Sequence, residues 1–226
     1  MLRSCYLIFI ISMLATCFSR QAQATETDYV GQFQLSGAGT LELSELDDNA
    51  SLGIFAQGAF LYPIGGSSPF LFGYVGLDLT AEKHNFKLLT GSFFDGEGAS
   101  MLVSMWYTFH IDDDINFFAE FDICPNLQGH ANPLMYVNSS LSYKFNDEIS
   151  VAVMGEVFAS FDEMFELAVG PSVSIDHLTF WLAYDDKPNM KDLQTIMLRV
   201  SLKVPFNKTQ KDDKKKKAPE IIRWTL

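Results

Sequence analysis

The sequence TIMLRVSLKVPF, residues Thr195–Phe206, decides the fold. Its apolar residues occupy every second position, at Ile196, Leu198, Val200, Leu202, Val204 and Phe206. The alternate positions carry Thr195, Met197, Arg199, Ser201, Lys203 and Pro205. Successive side chains of a strand point to opposite faces, so this pattern predicts a strand with one apolar face and one largely polar, cationic face. A run of about twelve residues is long enough for a tilted strand to cross a bilayer.

Segments with the same alternation follow one another from Tyr29 onward, separated by turn residues, and no stretch shows sustained helical periodicity. Within each segment the apolar residues share one parity, and the polar or small residues share the other. The alternation predicts these further strands: Gln32–Glu45, Ala50–Pro63, Pro69–Thr80, His84–Asp95, Ala99–Ile111, Ile115–Cys124, Leu134–Phe145, Ile149–Phe161, Glu163–Ile175 and Leu178–Tyr184.

The connections between the predicted strands alternate in length toward the C-terminus. Residues Asp185–Leu193 and Pro125–Pro133 form long connections, Phe161–Glu163 forms an intermediate one, and Asp176–His177, Asn146–Glu148 and Asp112–Asp114 form short ones. Outer-membrane barrels have short periplasmic turns and longer external loops. A lipocalin-like barrel or a β-sandwich has no reason to show this alternation.

Over residues 1–206 the chain resembles a bacterial outer-membrane β-barrel. The resemblance lies in the small-x-small site Ala22-Gln23-Ala24, the alternating segments and the final strand MLRVSLKVPF, and it is one of architecture rather than of a particular family. It implies an all-β fold, a closed antiparallel up-and-down transmembrane barrel of ten to twelve strands, whose apolar faces contact outer-membrane lipid and which the barrel-assembly machinery inserts. Aromatic residues near the strand ends are typical of the girdles at the two membrane surfaces: Phe60, Tyr62, Phe94, Tyr107, Phe109, Tyr143, Phe145, Phe161, Tyr184 and Phe206.

The number of strands depends on the segment Gln32–Glu45, which contains Gly37 and Gly39. Bacterial single-chain barrels have even strand numbers. The segment is therefore expected either to form two short strands, for a total of twelve, or to lie outside the ring, for a total of ten. We favour twelve.

The first 24 residues have the features of a secretory signal peptide. Arg3 supplies the positive start, Cys5–Leu14 the apolar core and Ala22–Ala24 the cleavage site. The alternatives are an uncleaved anchor and lipoprotein processing before Cys17. Cleavage after Ala24 divides the chain into a signal peptide (residues 1–24), a barrel (25–206) and a basic tail (207–226). It leaves one cysteine, Cys124, so no intramolecular disulfide is possible.

The distribution of charge argues against nucleic acid as a partner of the barrel. Residues 25–206 contain seven basic and 25 acidic residues. The tail, by contrast, contains the sequence KDDKKKK at Lys211–Lys217. We expect a solvated, disordered segment on the periplasmic side, or a basic handle for anionic periplasmic surfaces such as the cell wall or the membrane.

Charged residues on the polar parity are expected to line the barrel interior. They are Asp78, Lys87, His110, Glu120, Asp122, Lys144, Glu156, Glu166, Arg199 and Lys203. Tyr74, Trp106, Asn116, Tyr136 and Trp181 share that side. Opposite charges can pair and fill the interior, which we favour, or a net acidic lumen can select cations. The phase of the segment around Lys87 is ambiguous, and this residue is alternatively expected to point outward.

These features predict a small porin-like channel, or a passive envelope protein with an acidic lumen, in the bacterial outer membrane. No catalytic residue, metal site or cofactor is expected, since the four histidines are scattered and neither HExxH nor GxSxG occurs. One alternative is a barrel-wall lipid hydrolase or acyltransferase that uses His110 with Ser104, or His130 in a loop. The other is a secreted, water-soluble β-barrel that binds an apolar ligand inside.

Overall fold

The computed structural model describes residues 26–47, 49–64, 69–94, 98–125, 133–160, 164–186 and 193–205. Eleven strands make up almost all of this part of the chain: β1 Glu26–Asp47, β2 Ala50–Ile64, β3 Phe70–Ala81, β4 His84–Phe94, β5 Ala99–His110, β6 Ile115–Cys124, β7 Leu134–Lys144, β8 Ile149–Ser160, β9 Met164–Ile175, β10 Leu178–Asp186 and β11 Leu193–Pro205. The predicted signal peptide, the basic tail, His130, Phe161 and Phe206 lie outside the described residues.

The strands form one closed barrel in which sequence neighbours pair with each other and β11 pairs with β1. The prediction of a closed barrel of ten to twelve strands is confirmed. The predicted even number is wrong, because the ring contains eleven strands. The wholly antiparallel arrangement is also wrong: β1 and β11 are parallel. When strands alternate in direction around a ring, an odd number requires one parallel pair.

Strand β1 accounts for the error in the strand number. It is a single strand of 22 residues that pairs with β2 on one edge and with β11 on the other. Both glycines lie within its continuous ladder, Gly37 opposite Gly58 and Gly39 opposite Ala56. The register shifts of β1 come only after Glu42. Two hydrogen-bonded edges keep the backbone extended at these glycines, so they do not divide the strand.

The odd number of strands places the two ends of the barrel chain on opposite sides. The turn end of the barrel contains the connections at residues 48–49, 82–83, 111–114, 145–148 and 176–177, and the strand end Pro205. The loop end contains the connections at residues 65–69, 95–98, 125–133, 161–163 and 187–192, and the strand start Glu26. The alternation of connection lengths expected from the sequence is present only in part, because the connection at 161–163 is shorter than the one at 145–148 and the connections at 95–98 and 111–114 are equal in length.

Local hydrogen bonds shape the short connections of the turn end. Glu82 and Asp176 have φ values of 48° and 54°, the left-handed conformation that tight two-residue hairpin turns require. The Asp112 carboxylate accepts hydrogen bonds from the backbone N–H groups of residues 114 and 115. Asn146 does the same for the N–H groups of residues 148 and 149. These side chains stabilise the reversals that join consecutive strands.

The two faces of the barrel wall differ in composition. Leu198 and Val204 of β11 are each 46% exposed on the outside, whereas Thr195 and Met197 are each 1% exposed inside. The two faces predicted for this strand are confirmed. Large apolar side chains cover the outside, among them Leu71, Leu77, Leu88, Met101, Val103, Phe180 and Leu182. No helix among the described residues is long and apolar enough to cross a membrane.

Candidate functional site

The interior of the barrel is polar at the turn end, aromatic in the middle and hollow toward the loop end. In the first of these layers, Asp78 of β3 and Lys87 of β4 are cross-strand partners whose charged atoms are 3.3 Å apart. Thr40 Oγ1 donates a hydrogen bond of 2.7 Å to Asp78. The Asn85 amide donates a hydrogen bond to Asp78 and accepts one from Lys87. Lys87 lies 5.0 Å above the ring centroid of Phe55 inside the barrel, so the alternative of an outward-pointing Lys87 is wrong.

The middle layer on the β2–β6 side is a cluster of aromatic rings. The Trp106 ring centroid lies 5.3 Å from that of Phe55, 5.4 Å from that of Tyr74 and 6.1 Å from that of Phe118, all in edge-to-face contact. These residues come from four different strands, and their rings meet in the interior of the barrel. Rings at contact distance leave no space for water between them, so this cluster, which we call the aromatic plug, fills its side of the interior.

On the β8–β11 side, the middle layer is organised around Trp181, which is 1% exposed. Its indole N–H donates a 3.2 Å hydrogen bond to the backbone oxygen of Gly170. A Cβ atom at Gly170 would stand 1.9 Å from the backbone oxygen of Leu182, so only glycine permits this close approach of β9 to β10. Met197 packs against the same cluster, and the guanidinium of Arg199 lies 4.8 Å from the indole centroid.

A cavity of about 480 Å³ is lined by residues near the loop end and extends to Thr179 and Ser201, which lie on the turn-end side of Trp181 and Arg199 in their strands. Its walls nearest the loop end are apolar and are formed by Leu61, Phe70, Phe72, Phe93 and Phe158. Its floor, toward the middle of the barrel, is polar and is formed by Tyr74, Glu120, Asp122, Tyr136, Asn138, Glu156 and Arg199. The cavity is therefore amphipathic, with the polar end at the greater depth.

One carboxylate of the floor is fully paired. Arg199 donates to both oxygens of Glu156, at 2.5 and 2.9 Å, and its Nε donates at 2.7 Å to the side-chain oxygen of Gln32. Tyr136 donates a further hydrogen bond of 2.7 Å to Glu156. A two-point contact between guanidinium and carboxylate is among the strongest ionic hydrogen bonds in proteins. Since Arg199 lies on β11 and Glu156 on β8, the pair spans two intervening strands.

The other two carboxylates of the floor have no cationic partner within the described part of the chain. Asp122, 4% exposed, accepts hydrogen bonds from two neutral hydroxyl groups, those of Tyr74 at 2.6 Å and of Ser104. Glu120 accepts one long hydrogen bond of 3.4 Å from the amide of Asn138. The amide oxygen of Asn138 is itself buried without a hydrogen-bond partner among the described residues.

The charged residues expected to line the interior separate into two groups. Asp78, Lys87, Glu120, Asp122, Glu156, Glu166 and Arg199 lie inside the barrel, and all but the first two of these border the cavity. His110, Lys144 and Lys203 lie at the turn end. His110 is exposed and contacts Asn116, Lys144 pairs with Asp147 at 2.6 Å, and Lys203 is exposed. These three are on the expected parity but too close to the strand ends to reach the cavity.

Tyr74 and Trp106 of the aromatic plug were expected inside the barrel from the sequence, but the phenylalanines of the plug and of the cavity walls were not. Phe55, Phe72, Phe118 and Phe158 occupy the polar parity of their strands, where they interrupt the run of small and polar side chains. Large aromatic residues on the inward parity are the available sequence signal for a filled interior, because an open lumen favours polar side chains at those positions.

The structure separates the residues of the enzymatic alternative. Ser104 is 1% exposed and is bonded to Asp122, whereas His110 lies at the turn end of the same strand. Six residues of extended strand separate the Cα atoms of Ser104 and His110 by about 20 Å. The predicted Ser104/His110 pair is therefore wrong. The described residues contain no group of three or more His, Cys, Asp or Glu side chains placed to hold a metal ion.

Comparison with known proteins identifies no relative: no family model, curated protein or solved structure matches the chain.

Proposed function

We propose that this chain is a bacterial outer-membrane β-barrel whose outer surface is in contact with lipid. The observation that carries the proposal is the composition of the outward positions among the described residues of β2 to β11, where strand alternation places no Lys, Arg, Asp or Glu except Asp186 at the loop end of β10. A surface this apolar is unfavourable in water, and monomeric soluble proteins rarely expose such large contiguous patches.

The dimensions of the apolar surface support the same proposal. On β4 the outward aromatic Phe94 lies near the loop end, and His84 lies at the turn end, where it stacks on Phe109 with centroids 4.9 Å apart. Ten residues of strand span about 33 Å, or about 25 Å along the axis at a tilt of about 40°. The apolar band of outer-membrane barrels has a height of about 25 Å. Tyr107 and Tyr143 continue the aromatic girdle at the turn end, and Tyr62 and Tyr184 continue the one at the loop end.

Of the two functions that the sequence predicts, we favour a passive envelope barrel with an acidic interior over an open porin-like channel. The aromatic plug, the cluster around Trp181 and the Arg199–Glu156 pair occupy the middle of the interior from opposite walls. Ions crossing the barrel would have to displace these packed side chains. The water-soluble alternative is disfavoured because the most apolar face of the wall is outside rather than around the cavity.

Membrane integration and conductance test the two parts of this proposal separately. The protein is expected to float with liposomes in a density gradient and to stay with them after carbonate extraction, whereas a soluble barrel would wash off. In planar bilayers the native chain is expected to show no stepwise conductance. The double variant F55A/W106A, which removes two rings of the plug, should raise the conductance. Stepwise, cation-selective currents from the native chain would instead establish the porin-like channel.

The orientation and partners follow from this proposal. We place the short connections of the turn end in the periplasm and the longer connections of the loop end outside, as in outer-membrane barrels. Outer-membrane lipid and the barrel-assembly machinery are then the partners of the barrel wall. Since Pro205 lies at the turn end, the basic tail that follows it would begin on the periplasmic side, where anionic surfaces are its proposed contact.

A further inference from the structure

The floor of the cavity carries more carboxyl groups than its one cation can pair with. Arg199 is the one Lys or Arg among the described residues that line the cavity, and its guanidinium is engaged by Glu156 and Gln32. Glu120 and Asp122 remain without a cationic partner in the described part of the chain. Burying a carboxylate without a counter-charge is costly. The floor therefore favours a cation that the described chain does not provide.

We propose that the loop-end cavity binds an amphipathic organic cation, with its ammonium group at Glu120 and Asp122 and its apolar body against the aromatic walls. This inference rests on the proposed function, because it needs a barrel interior that is blocked below the cavity.

The arrangement of acceptors fits an ammonium group. Glu120 and Asp122 are two residues apart on one strand and therefore project to the same side, with Cα atoms about 7 Å apart. Asn138 is the cross-strand partner of Glu120, and its buried oxygen has no hydrogen-bond partner among the described residues. An ammonium group donates up to three hydrogen bonds. Two carboxylates and one amide oxygen supply acceptors for all of them.

The rest of the cavity selects an organic ligand over a bare metal ion. The described residues provide no cluster of three metal-binding side chains. Phe70 and Phe93 stack at 5.4 Å on one wall, and Phe72 meets Tyr74 edge-to-face at 5.9 Å just above the floor. Aromatic rings stabilise both the apolar part of a ligand and an adjacent cation. The volume of about 480 Å³ lies within the range of small-molecule sites, about 300–1,000 Å³.

Calorimetric titration of the full chain, reconstituted in phosphatidylcholine nanodiscs, tests this inference with phenethylammonium as the probe. Phenethyl alcohol and phenylpropanoate are the matched neutral and anionic compounds. We expect phenethylammonium to bind and the other two to bind at least tenfold more weakly, since only the ammonium group forms charge-assisted hydrogen bonds with the carboxyl groups. Empty nanodiscs measure partition of each compound into lipid.

Two substitutions locate the binding site. E120Q is expected to weaken phenethylammonium binding about tenfold or more, while keeping the shape of the side chain. E82Q removes the same charge from an exposed turn at the opposite end of the barrel and is expected to leave the affinity unchanged. Circular dichroism must show the same strand content for both variants.

The inference is overturned if the three compounds bind equally, which would mean that only the apolar walls contribute. It is also overturned if E120Q and E82Q have the same affinity, or if phenethylammonium does not bind to a chain that floats with liposomes. In the last case the membrane barrel stands and the ligand class is wrong. If the chain fails to float, the proposed function itself is wrong.

Discussion

Replacing Glu156 with Ala removes the acidic partner of Arg199 and tests how the interior is held together. The pair joins β8 to β11, two strands that do not touch in the wall. In E156A the guanidinium keeps its hydrogen bond to Gln32, and the Tyr136 hydroxyl loses its acceptor. The variant thus leaves a positive charge inside the barrel without the carboxylate that binds it at two points.

Burial sets the size of the expected effect. The side chain of Arg199 is 12% exposed and that of Glu156 is 7% exposed. Losing one partner of a buried ion pair costs about 3–5 kcal/mol. Both residues border the cavity, so water can approach the guanidinium once Glu156 is removed. We therefore expect E156A to lower the free energy of unfolding by about 3 kcal/mol, the lower limit of that range. E156Q retains an acceptor oxygen and should lose less, about 1–2 kcal/mol.

Urea unfolding in one fixed detergent, followed by tryptophan fluorescence, measures these differences, provided that unfolding and refolding curves coincide. The control K144A removes the partner of Asp147 in an exposed pair at the turn end, and its midpoint should not change. The double variant E156L/R199L should recover most of the loss, because neither charge remains unpaired. An E156A midpoint equal to the native one would refute the reasoning.

Three further predictions follow from the barrel wall. G170V is expected to prevent folding, since a Cβ atom there would stand 1.9 Å from a backbone oxygen, whereas G58A, with no atom within 4 Å, should leave the urea midpoint unchanged or raise it. L77K places a charge on the outer apolar face and should cost about 2–4 kcal/mol in refolding into lipid. Epitopes inserted before Glu26 and after Pro205 should be accessible to protease from opposite sides of a sealed vesicle.

The strand boundaries could be predicted because each depends on residues close in sequence. The alternation of apolar and polar residues locates Ile115–Cys124 at the same bounds in sequence and structure. The two-residue turn at Asp176 and His177 is likewise local. Strand β1 is different, because the hydrogen bonds of its second edge are made with β11. Gln32 of β1 pairs with Arg199 of β11, more than 160 residues later in the chain. The strand number could not be predicted because the closing pair is non-local.

The cavity shows the same limit of sequence reasoning. Parity places Glu120, Glu156 and Arg199 on the inner face, but it does not say which of the two carboxylates meets the guanidinium. That choice depends on the stagger between β8 and β11, which is fixed only when the ring closes. The pairing of Glu156 with Arg199 leaves Glu120 without a cation. The absence of a cation beside Glu120 in the described part of the chain, on which the ligand proposal depends, is therefore a consequence of how the barrel closes.

The width of the ring explains why one interior holds both a packed layer and a cavity. Barrel diameter grows with strand number: about eight strands enclose just enough space for side chains, whereas about sixteen leave a channel. Eleven strands lie between these cases. Large rings such as Phe55, Trp106 and Trp181 fill part of the middle, while smaller side chains such as Gln32 and Thr179 leave the space of the cavity beside them. Side-chain volume rather than the backbone therefore sets the position of the cavity, and the loss of rings from the plug would enlarge it.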